Sequence, residues 1–68
     1  MPERHLKAAQ THDDAALRHE KAALHWDEYG DPEHAALERR NVEIERASAQ
    51  LERDRADFIR RKRAASTA

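Results

Sequence analysis

His5-Leu6-Lys7-Ala8-Ala9, His12-Asp13-Asp14-Ala15-Ala16 and His19-Glu20-Lys21-Ala22-Ala23 repeat one pattern, His-x-x-Ala-Ala, three times in strict seven-residue register. A fourth turn replaces the pattern with the aromatics Trp26 and Tyr29. Seven residues are almost two turns of α-helix, so a strict heptad puts like residues on one stripe and predicts helices packed lengthwise. The stretch is rich in Ala and free of Gly, which favours helix from about residue 3 to residue 29, nearly 40 Å at the helical rise. Pro2 suits a first helical turn and Glu3 the positive end of the helix dipole.

Outward from this stretch, Gly30-Asp31-Pro32 stops one helix and starts another. Gly30 supplies a left-handed C-terminal cap, Asp31 an N-cap oxygen, and Pro32 the first helical position. A connection as short as residues 30–31 turns the second helix back antiparallel to the first. That second helix reads from about 32 to 63, with 64–68 as a frayed tail of small residues. The expected fold is all-α: one domain over 1–68, a two-helix antiparallel hairpin that dimerises into a four-helix bundle.

The dimer is argued from two stripes on helix 2. Leu37, Ile44, Leu51 and Phe58 stand seven apart, and so do Ala35, Val42, Ala49 and Ala56. At about 100° per residue the stripes lie about 140° apart, with Glu38, Glu45 and Glu52 between them. A hairpin partner covers one stripe and the other needs a second contact. Leu37, Val42, Ile44, Leu51 and Phe58 are therefore the candidate interface. The paired alanines of helix 1 form a shallow seam for the Leu, Ile and Phe side chains of helix 2 or of a partner, small against large. Trp26 and Tyr29 are expected to plug the loop end of this core against Leu37.

Composition narrows the function. A chain of 68 residues with few large apolar side chains struggles to build a core alone, so self-association is the default. Charge is abundant but balanced, 40% of residues with a net of −1, which does not describe a polyanion binder. Without Cys there is no disulfide framework or thiolate chemistry, in keeping with a cytoplasmic protein. No apolar run is long enough for a membrane span. The partners expected are a second copy of the chain or another helical protein.

Three chemistries compete with plain packing. Five histidines invite a divalent transition metal, with His5, His12, His19, His34 and Glu38 as candidate ligands. His5, His12 and His19 lie about 10 Å apart along one helix and cannot converge on one ion, so such a site needs a second chain. His34 and Glu38 are the one His/carboxylate pair at i, i+4. At least one of the first three histidines is expected to be partly buried against another helix in its neutral form, so that stability falls below about pH 6.5. Arg60, Arg61, Lys62 and Arg63 form a basic run that either complements the helix dipole or contacts phosphate. Arg39, Arg46 and Arg53 extend it at seven-residue spacing, but Glu43 and Asp57 stand four residues from Arg39 and Arg53 and are expected to neutralise them. No aromatic residues interleave with these cations, which argues against nucleic acid. Catalysis has least support, since a bare hairpin offers no obvious concave pocket.

The run His-x-x-Ala-Ala-x-x-His-x-x-Ala-Ala, ending in Gly-Asp and followed by Ala35-Ala36, resembles a loose group of short bacterial helical-hairpin proteins that repeat His and Ala at heptad spacing. The likeness covers roughly residues 5–37 and implies a hairpin fold without implying an activity. Those proteins continue the His pattern into the second helix, whereas this chain carries Arg and Glu after His34. Trp26, Gly30 and Ala35 also keep the spacing of a tetratricopeptide unit, but helix 2 is about twice too long for one and no second repeat follows. The function expected is a small non-enzymatic interaction or assembly module.

Overall fold

The computed structural model describes residues 2–67. Two helices, α1 (Pro2–Glu28) and α2 (Pro32–Thr67), lie side by side in a rod 58 Å long. α1 has 27 residues and α2 has 36, so one end of α2 stands clear of α1. Ala64 to Thr67, expected as a frayed tail, continue the helix. Met1 and Ala68, counted within the expected domain, lie outside the described residues.

The turn is built by the residues chosen for it. Gly30 has φ +75° and its N–H donates to the Asp27 carbonyl at 3.1 Å, while the Asp31 N–H donates to the Trp26 carbonyl at 2.9 Å. These two bonds are those of a Schellman cap. The Asp31 carboxylate then accepts the His34 N–H at 3.0 Å, capping the first turn of α2. Residue 31 thus closes one helix and opens the next, which is what reverses the chain.

The seam is small against small, not small against large. Ala9, Ala16 and Ala23 of α1 and Ala35, Val42, Ala49 and Ala56 of α2 are the buried apolar residues, none more than 5% exposed. Val42, grouped from sequence with the candidate interface, belongs to this internal seam. Leu37, Ile44, Leu51 and Phe58 do not enter it; they remain 50 to 60% exposed. Side chains no larger than Ala or Val let the axes approach closely, and only then can polar residues flanking the seam bridge from one helix to the other.

Those bridges fix the register. On one side His5, His12 and His19 donate through Nδ1 to Glu52, Glu45 and Glu38 at 2.6, 2.6 and 2.7 Å. On the other side Arg53, Arg46 and Arg39 pair with Asp13, Glu20 and Asp27. Each step of seven up α1 is matched by a step of seven down α2, as an antiparallel heptad requires. Rotating α2 to bury its large stripe would break both ladders. At the loop end Trp26 stacks on His34, ring centroids 3.8 Å apart and 12° from parallel, and Leu37, expected beneath it, stays 56% exposed. Tyr29 is 73% exposed and lies against His25.

Candidate interaction surface

With its seam and both ladders turned toward α1, α2 has one face left. Leu37, Ile44, Leu51 and Phe58 run along it, roughly 31 Å from first to last at the helical rise. They sit on the side of α2 opposite α1, as the angle between the stripes requires. Isolated exposed apolar residues are ordinary, but four in register on one helix face form a continuous ridge.

Charge around the ridge is uneven. On one flank His34 faces Asp31, Arg55 pairs with Glu52 at 2.6 Å, and the Lys62 ammonium lies 5.5 Å from the Phe58 ring centre. Asn41 and Ser48 complete that flank. The other flank carries Glu33, Arg40, Ala47, Asp54 and Arg61, again seven apart and all exposed. Asp54 accepts a hydrogen bond from Gln50 at 3.0 Å. Glu33, Arg40 and Arg61 make no ion pair or side-chain hydrogen bond among the described residues. Glu33, Arg40 and Asp54 were missed from sequence, and Arg61 was read only as part of the basic run, although all four hold one heptad position. The acid ladder of Asp13, Glu20 and Asp27 was missed too; its signal was a seven-spaced acidic set running opposite to Arg39, Arg46 and Arg53.

Of the candidate metal ligands, His19 and Glu38 meet at 2.7 Å and the others are held at separate partners. His5, His12 and His19 each face a different glutamate, Glu38 is engaged by His19 rather than by His34, and His34 sits 3.7 Å from Asp31. No group of three His, Cys, Asp or Glu among the described residues could hold an ion. His5, His12 and His19 are each partly buried against α2, as expected, with a carboxylate at Nδ1. The clearest electrostatic effect falls on the partner: the hydrogen bond from His5 holds the Glu52 carboxyl below its usual value of 4.5, against the opposing effect of burial and with help from Arg55. Asp27 likewise raises the Arg39 guanidinium, first by hydrogen bonding and then by charge.

The arginines do not make a basic face. Arg39 and Arg53 pair across the hairpin instead of with Glu43 and Asp57, and Asp57 meets Arg60 at 3.5 Å. Arg60, Arg61, Lys62 and Arg63 lie at the end of α2 that projects past α1. One shallow groove of about 440 Å³ does form beside the seam, where sequence promised no concavity. Ala23 and Val42 lie along it with Leu24 and Glu43, and its Arg39 and Arg46 are held in ion pairs. Among the described residues no helix is long and apolar enough to cross a membrane. In comparisons with known proteins the chain matches no family model, no curated protein and no solved structure.

Proposed function

We propose that this chain is a small, non-enzymatic assembly module that works as a homo-oligomer in the cytoplasm, joining hairpins through the outer face of α2. The observation that carries this reading is the ridge of Leu37, Ile44, Leu51 and Phe58, exposed along the whole hairpin. Covering the exposed half of four such side chains in each of two copies contributes on the order of 8 kcal/mol, since full burial of one is worth about 1.5 to 3 kcal/mol. Association costs about 4 to 15 kcal/mol in lost freedom, so the ridge supports a concentration-dependent dimer and not an irreversible one. Because the ridge faces away from α1, such a dimer sets four helices side by side, the two α2 helices central and the α1 helices outside.

Native mass spectrometry of untagged protein tests this reading, because it reports subunit number and bound metal together. A metal-free dimer that grows in proportion with concentration is the expected result. A monomer at every concentration would overturn the assembly. A dimer holding stoichiometric zinc, copper or iron would replace it with a metal-binding function for the histidines.

A further inference from the structure

The two flanks of the ridge carry information about how a second copy sits on it. Any partner covering Leu37, Ile44, Leu51 and Phe58 must also lie against Glu33, Arg40, Ala47, Asp54 and Arg61, whose charged members are unpaired within the hairpin or, for Asp54, held only by an amide. In order along α2 they read negative, positive, small, positive-attracting, positive: Glu, Arg, Ala, Asp, Arg. Reversing that order places opposite charges together at both ends and small against small in the middle.

Resting on the assembly reading above, we propose that the occupant of this face is a second copy of the chain whose α2 runs antiparallel, with a two-fold axis between the two Ala47 residues. Arg40 then meets Asp54 of the partner subunit, Glu33 meets Arg61 of the partner subunit, and symmetry repeats both pairs. Along the ridge Leu37 covers Phe58 of the partner subunit and Ile44 covers Leu51 of the partner subunit. Ala47 lets the helices approach at the axis, as small residues do wherever helices pack closely.

The alternatives are penalised by the same residues. A parallel, in-register pair would turn this flank toward the other flank of the partner: Arg61 would meet Lys62 of the partner subunit, Asp54 would find only Arg55 of the partner subunit, whose charge Glu52 already meets, and neither the Glu33–Arg61 nor the Arg40–Asp54 pair could form. Sliding the antiparallel pair by one heptad in one direction brings Arg40 against Arg61 of the partner subunit. Sliding it the other way brings Glu33 against Asp54 of the partner subunit. Both shifts also leave one ridge residue of each chain uncovered. Like charges juxtaposed at an interface disfavour the wrong arrangement more strongly than the right pairs favour theirs. The opposite flank permits the proposed register, since it brings Ser48 to itself and Asn41 to Arg55 of the partner subunit, whose charge Glu52 already meets within its own chain. His34 there faces Lys62 of the partner subunit, with Asp31 beside the histidine.

The chain has no Cys, so single introduced cysteines report the arrangement without background. Under mild oxidation the full chain carrying Ala47→Cys should become a disulfide-linked dimer. Arg40→Cys alone should stay unlinked, and a mixture of Arg40→Cys with Asp54→Cys should yield the mixed dimer. Asp54→Arg should weaken the dimer by roughly tenfold or more, and adding Arg40→Asp to the same chain should restore most of the affinity. Self-linking of Arg40→Cys, failure of Ala47→Cys to link in protein that sediments as a dimer, or failure of the double charge exchange to rescue would each overturn the antiparallel register while leaving self-association standing. A wild-type chain that sediments as a monomer from micromolar to near-millimolar concentration would overturn the assembly reading itself.

Discussion

The two apolar faces of α2 have opposite fates. Ala35, Val42, Ala49 and Ala56 are shut inside the hairpin, while the larger Leu37, Ile44, Leu51 and Phe58 lie outside. Hydrophobicity alone would choose the reverse, since the large stripe has several times the apolar area to bury. Polar residues decide it: the His–Glu and Arg–acid ladders flank only the small stripe, and they close only when the axes are near. The lesson is that flanking pairs can select which face a helix buries, leaving the stronger apolar surface exposed.

The sharpest way to break this contrast is to place a carboxylate on each face in turn. Ala49→Asp would strand a charge between the helices and should cost roughly 3 kcal/mol or more, enough to unfold a domain this small. Circular dichroism should show the loss of helix. Leu51→Asp, two residues on, should leave the hairpin helical and abolish the dimer, seen as native helicity with a monomeric sedimentation coefficient. Equal loss of helix in both variants would mean that the large stripe is part of the hairpin's own core.

Smaller effects test the elements that hold the small faces together. At Gly30 a Cβ would meet nothing within 4 Å, so Gly30→Ala carries only the backbone strain of φ +75°. It should lower stability by about 1 to 2 kcal/mol without altering the fold. Chemical denaturation would measure it, and an unchanged midpoint would show that the Schellman turn is not what reverses the chain. The ladder gives the smallest effect, readable through pH. Because the folded Glu52 carboxyl is held below the unfolded value, its contribution is present above that value and is lost as pH falls through the folded one. Wild type should therefore melt above Glu52→Gln at neutral pH, with the difference shrinking from about pH 4.5 downward. A gap that persists below the carboxylate range would remove the His5–Glu52 contact as its cause.

Most of the fold was legible in the residues. The heptad of His and Ala marked α1, and Gly30-Asp31-Pro32 marked the reversal because each residue has one strong conformational preference. The existence of two stripes on α2 was equally plain, but not which of them faces α1. That choice rests on cross-helix pairs such as His12 with Glu45 and Arg46 with Glu20, whose members are far apart in sequence and meet only after the register is set. Local rules matched Arg39 with Glu43, whereas its partner is Asp27 on the other helix. His5, His12 and His19 follow the same rule: read on one helix they have no partner within reach, and in the hairpin each meets a glutamate of α2.

Val42 and Ile44 lie two residues apart on the two faces, so their methyl groups test the central claim together. Methyl NMR with a soluble paramagnetic probe, recorded across a dilution series, would report the solvent exposure of each. Val42 should be protected at every concentration, because the hairpin itself buries it. Ile44 should be strongly relaxed in dilute protein and become protected as concentration rises and a second copy covers the ridge. Protection of Ile44 in the dilute monomer, or exposure of Ile44 unchanged by concentration, would contradict the account.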